Sequence, residues 1–164
     1  MSEPKGAGPA LTTRRRAAAV FVVAVALNYP WELAQSALYA GMGSPGFVLW
    51  HCFVASLGDG LLVLLIFAAG WLTFGGRDWY ERPGAAGYLL MSAAGFLVAT
   101  GVEAAALSLG YWEYKDSMPR LPTLGLGLAP VAQMLLLPPL IFFIVGRQRR
   151  KHAGAGATTE EPRR

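Results

Sequence analysis

Apolar residues fall into four long runs separated by short polar segments. By length and hydropathy the runs are placed at roughly 17–40, 49–74, 87–110 and 123–146. Each rises about 36 Å at 1.5 Å per residue, enough to cross a bilayer with some tilt. Residues 1–13 and 152–164 are polar and rich in Gly, Pro, Thr or charge, and are expected to be disordered tails. The segment between them, 14–151, is expected to form one all-α domain. Its predicted fold is an integral membrane bundle of four transmembrane helices.

The polar positions inside the runs follow helical spacing. In the first run Asn28, Glu32, Gln35, Ser36 and Tyr39 recur at steps of three and four and share one side. In the second, His51, Ala55, Asp59 and Leu62 form a stripe, with His51 at the rim. Phe96, Thr100, Glu103 and Leu107 align in the third, and Ala129 and Gln133 in the fourth. Counted from one end of each run, Glu32, Asp59, Glu103 and Gln133 lie roughly 10–15 Å deep. They are therefore expected to form one layer.

A carboxylate in hydrocarbon normally faces a bundle interior or a wet cavity and marks a functional-site candidate. No Lys or Arg lies within a run to neutralise Glu32, Asp59 and Glu103. The layer is expected to hold a proton or a cation at neutral pH. These three are the candidate catalytic or charged contacts. Asn28, Gln35, His51, Thr100 and Gln133 complete the expected ligand-binding set, with the amides orienting the carboxylates. The plainer role for Asn28, Gln35, Thr100 and Gln133 is interhelical hydrogen bonding.

Prolines and glycines crowd the same places. Pro30 precedes Glu32 and frees the carbonyl of residue 26. Pro130 is expected to do the same beside Gln133, and Pro138 and Pro139 to bend the fourth run again. Gly58 and Gly60 bracket Asp59 and permit close approach of backbone or ligand. The loop from Tyr111 to Arg120 is dense in aromatic and charged side chains and is read as a headgroup belt or a lid. Trp31, Trp50, Trp71, Trp79 and Tyr80 are read mostly as interface anchors.

Composition agrees with membrane insertion. The 164 residues are 54% hydrophobic and 15% charged, with mean hydropathy +0.41. Soluble domains carry about 25% charged residues. The net charge of +4 comes from basic residues that flank the runs, so it reads as a topology signal and nucleic acid is excluded as a partner. Lys5, Arg14, Arg15, Arg16, Arg77, Arg82, Arg147, Arg149, Arg150 and Lys151 fall on one side, against Lys115 and Arg120 on the other. Both termini are expected to be cytoplasmic. The richness in Ala, Gly and Arg fits a bacterial plasma (inner) membrane. A cleaved signal peptide is disfavoured, because Asn28, Pro30 and Glu32 lie inside the first run.

Chemical motifs are few. There is no Walker loop, nucleotide glycine fingerprint, CxxC or His-Glu-x-x-His. The single cysteine, Cys52, forms no intramolecular disulfide and reads as apolar filler. His51 and Cys52 are adjacent and point about 100° apart, so no shared metal is expected. No cofactor is indicated. With its intramembrane His and Glu, the layout loosely resembles four-helix sterol-isomerase-like membrane proteins. It departs from them in having Ala55, not an acid, one turn after His51.

Three functions fit these residues. The first is binding of a small lipophilic or cationic molecule, with acid–base isomerisation of a lipid double bond as its enzymatic form. The second is proton-coupled transport or ion permeation, for which a homo-oligomer is expected because four short helices enclose little space. The third is a structural subunit glued by its polar layer.

Overall fold

The computed structural model describes residues 9–157 and is all-α. Helix α1 spans Pro9–Gln35 and continues into a 3-10 turn at Ser36–Leu38. Helices α2 (Pro45–Phe74), α3 (Gly84–Ser108) and α4 (Leu128–Ala157) follow, with a second 3-10 turn at Trp79–Glu81. Four segments are long and apolar enough to cross a membrane: Thr13–Leu38, Pro45–Phe74, Gly84–Ser108 and Leu128–Arg150. By length and composition these four helices suggest an integral membrane protein.

The helix ends have local causes. Ser44 caps α2 by accepting from the Phe47 N–H at 3.5 Å, and Pro45 occupies the first helical position, where its missing N–H costs nothing. Gly75 closes α2 in the left-handed region at φ 72°, donating to the Trp71 carbonyl at 2.9 Å. Helix α4 starts at Leu128 and not near residue 123. The apolar stretch before it is instead a tight turn, in which Leu121 N–H donates to Leu126 O and Gly125 N–H to Leu121 O, both at 2.8 Å. Gly125, at φ +68°, supplies the conformation this turn needs. Pro130 thus lies in the first turn of α4, where no intrahelical bond is lost, and the kink expected there is absent. Pro30, Pro138 and Pro139 do lie inside helices.

The tails also differ from expectation where they are described. Helix α1 already begins at Pro9 and α4 runs on to Ala157; the rest of both tails, residues 1–8 and 158–164, lies outside the described residues.

Helix α1 packs along α2 and α4, and α4 packs along α3, while α2 and α3 meet least of the four neighbouring pairs. The bundle is a ring with one loose seam. Its core is built from Val20, Ile66, Met91, Met134, Ile141 and Phe142 among others. Trp79 and Tyr80, expected as interface anchors, are buried in this core. Trp79 donates its indole N–H to the Phe67 carbonyl at 3.2 Å, and its ring fills the place of a side chain at Gly70, where a Cβ would lie 2.1 Å from it. Helices α3 and α4 touch backbone to backbone: a Cβ on Gly95 would fall 1.9 Å from the Met134 carbonyl oxygen.

The two ends of the bundle are chemically different. At the end holding the first residues of α1 and the last of α4, Glu81 pairs with Arg16 at 3.0 Å and Arg149 at 3.4 Å, and its carbonyl accepts from Arg150. At the opposite, distal end, the α3–α4 loop is stitched to the segment after α1. Tyr39 and Tyr114 form an antiparallel bridge, with Ala40 N–H donating to Glu113 O at 2.8 Å and Lys115 N–H to Leu38 O at 3.0 Å.

Candidate functional site

Beneath that stitched loop lies a cavity of about 440 Å³. Each helix contributes to it through its inward stripe. Helix α1 brings Glu32 and Gln35, α2 brings His51, Cys52, Ala55, Asp59 and Leu62, α3 brings Ala99 and Glu103, and α4 brings Gln133 and Met134. Tyr39 and Trp112 line it from the distal end. Its walls are chiefly apolar, with the polar groups concentrated on α1, α2 and α4.

Gln133 is the centre of those polar groups. Its amide nitrogen donates toward Asn28 Oδ1 at 2.7 Å, Glu32 Oε1 at 2.9 Å and Asp59 Oδ2 at 2.9 Å. Its oxygen accepts from Gln35 Nε2 at 2.9 Å, and the same Gln35 nitrogen reaches Glu32 Oε1 at 2.7 Å. Asn28 is fixed from behind by donating to the Ala24 carbonyl at 2.8 Å. Residues from α1, α2 and α4 thus meet at one point.

Glu103 faces the same cavity but is held separately. It is 4% exposed and accepts from the Tyr114 hydroxyl, which in turn accepts from Gly127 N–H at 3.0 Å. Glycine at 127 eases this approach, since a Cβ there would lie 3.1 Å from the phenol oxygen, tighter than an ordinary contact. Burial, and then the bond to Glu103, raise the Tyr114 phenol above its ordinary range. At physiological pH it remains a donor, so Glu103 and Tyr114 latch the loop onto α3.

Of the sequence candidates, Asn28, Glu32, Gln35, Asp59 and Gln133 share one hydrogen-bond network; Glu32, Gln35, Asp59, Gln133, Glu103 and His51 line the cavity, while Asn28 lies behind its wall. His51 sits at the exposed rim, stacked on Phe47 at 5.6 Å. Thr100 is set apart from the site. Its hydroxyl turns back onto its own helix, to Phe96 O at 2.8 Å and Leu97 O at 3.2 Å. The inward face of α3 runs instead through Met91, Gly95, Ala99, Glu103 and Ala106. Sequence reasoning passed over Tyr114 and Trp112 as individual contacts. The signal for Tyr114 was indirect: a buried carboxylate with no basic partner calls for a neutral donor, and the aromatic loop follows directly after its helix.

The cavity also reaches the side of the bundle. Gly58, Leu61 and Val102 line it and are exposed, Leu61 at 58% and Val102 at 39%. They border the loose seam between α2 and α3. The seam is open at Gly58, where nothing lies within 4 Å of the position a Cβ would take. Among the described residues, no three His, Cys, Asp or Glu side chains gather closely enough to hold a metal ion. Comparison with protein families, curated proteins and solved structures finds no match to this chain.

Proposed function

We propose that this protein sits in a bacterial plasma membrane with both termini cytoplasmic. There it binds a small amphipathic molecule with an apolar body and a cationic head. The observation that carries the reading is the cavity itself. Apolar walls surround Glu32, Asp59 and Glu103, and among the described residues no Lys or Arg lines the space. A cationic head would meet the carboxylates in a low-dielectric setting, where attraction is strong, and the body would cover Leu62, Ala99 and Met134. The opening at Gly58, Leu61 and Val102 suits entry from the lipid phase.

The basic residues at the end of the bundle holding Arg16 and Arg149 support the orientation. With that end inside, the cavity lies in the outer half of the membrane.

An environment-sensitive styryl dye with an alkylammonium chain tests the binding. Wild-type protein in detergent is expected to enhance its fluorescence saturably. The Glu32→Gln/Asp59→Asn double variant, with its thermal unfolding still cooperative, is expected to bind at least about tenfold more weakly. Equal binding by both proteins, or equal binding of an anionic dye with the same body, would contradict the proposal.

A further inference from the structure

We infer that the head group recognised in this cavity is an ammonium bearing N–H bonds, so that the ligand class is a long-chain primary or secondary amine and not a quaternary ammonium. The inference rests on the cationic-ligand reading above and narrows it. Its basis is a count of donors against acceptors within the polar network.

The amide donors of the network are already committed. Gln35 Nε2 is divided between Glu32 and Gln133, and Asn28 Nδ2 is held by Ala24. Gln133 Nε2 faces three acceptors, yet an amide nitrogen has only two protons. Gln133 therefore cannot serve Asn28, Glu32 and Asp59 at once, and a hydrogen bond between Glu32 and Asp59 covers part of the difference. Gln35 Oε1 makes the deficit explicit: the side chain is 5% exposed, lines the cavity and leaves this oxygen buried with no partner. Unsatisfied buried acceptors are unusual and costly.

The amide cannot simply be turned over. Its oxygen would then face both the Glu32 oxygen and Gln133 Oε1. Correcting the second clash by turning Gln133 as well would set that oxygen against Asn28, Glu32 and Asp59. With Asn28 held by Ala24 and the facing carboxyl oxygens as acceptors, the network fixes its own orientation. Trp112 also offers a buried indole N–H with no hydrogen-bond partner, but it stands on the loop and outside the network centred on Gln133.

A protonated primary amine carries three N–H donors and one positive charge. Placed between Gln35, Glu32 and Asp59, it would satisfy the open oxygen and the undersupplied acceptors together. A trimethylammonium group offers the charge and none of the donors. A site built for hydrogen bonding discriminates strongly against an analogue lacking them, because its own polar groups stay unpaired.

The test is displacement of the styryl dye by dodecylamine, dodecyltrimethylammonium, dodecanol and dodecanoate at neutral pH. Dodecylamine is expected to bind at least about tenfold more tightly than dodecyltrimethylammonium. In Gln35→Met that ratio is expected to fall toward one. Equal affinity of the two cations for wild type would overturn the inference and leave the cationic-ligand reading standing. Dodecanol or dodecanoate binding as tightly as the cations, or no displacement by any of them, would overturn both. Should Gln35→Met fail to fold, the wild-type ratio alone decides.

Discussion

Gln133 carries more of the polar layer than any carboxylate does. It joins α4 to α1 through Asn28, Glu32 and Gln35 and to α2 through Asp59. Interhelical hydrogen bonds inside membrane proteins average about 0.6 kcal/mol each, so Gln133→Leu is expected to destabilise the bundle by about 2 kcal/mol. Asn28→Ala should cost less, since Asn28 meets Gln133 through one bond. Equilibrium unfolding in mixed micelles checks both, and an unchanged midpoint for Gln133→Leu would contradict the central placement of that residue. Tyr114 supports a prediction in pH. Burial raises the phenols of both Tyr80 and Tyr114 above their ordinary value near 10. A raised folded value favours the neutral phenol, so its contribution is complete below about pH 10 and fades as pH rises through the folded value. Stability should therefore decline above about pH 10, and less steeply in Tyr114→Phe than in wild type, as read from unfolding temperatures across alkaline pH. The carboxylates and amides of the layer were legible in sequence because polar residues stand out in apolar runs. Their division into a Gln133 network and a separate Glu103–Tyr114 pair was not, since it depends on how the helices are rotated and on a loop returning over the site.

At the level of elements, glycines decide how closely helices approach. Gly95 puts α3 directly against the Met134 carbonyl, leaving no space for a methyl group. Gly95→Val is expected to force α3 and α4 apart and destabilise the protein by more than the roughly 1–3 kcal/mol of ordinary overpacking, because the obstacle is backbone. Gly58→Val, by contrast, should leave stability nearly unchanged, since its Cβ position is open, and should instead narrow the seam beside Leu61 and Val102. Thermal unfolding separates the two variants, and equal losses would count against this packing. Helix α2 was read correctly at its end, residue 74, but begins at Pro45 and not at 49, because the Ser44-Pro45 start signal lies ahead of the apolar run. Helix α4 was misread at its start because hydropathy weighs the leucines at 121, 124 and 126 and takes no account of Gly125, whose φ of +68° closes a turn. Trp79 and Tyr80 were misplaced for a related reason. Aromatic residues beside an apolar run suit an interface, and only the notch at Gly70 reveals that one of them enters the core.

For the molecule as a whole, the four-helix plan was legible from length and hydropathy, and the cavity wall only in part: the stripes on α1 and α2 face it, while of the predicted α3 stripe only Glu103 does. The seam between α2 and α3 was not legible, because nothing in one helix reports how loosely it meets another. The basic end predicts a definite topology. A reporter inserted at Gly43 should read as non-cytoplasmic and one at Gly76 as cytoplasmic, and the reverse pattern would place the cavity in the inner half of the membrane. The central claim is that the polar layer receives a ligand and is not merely glue between helices. Native mass spectrometry of the gently purified protein tests it most directly, with wild type beside the Glu32→Gln/Asp59→Asn variant. The account predicts that wild type retains a lipophilic amine of defined mass and that the folded variant releases it. Wild type and variant both flying without a bound molecule, or both retaining the same one, would contradict it.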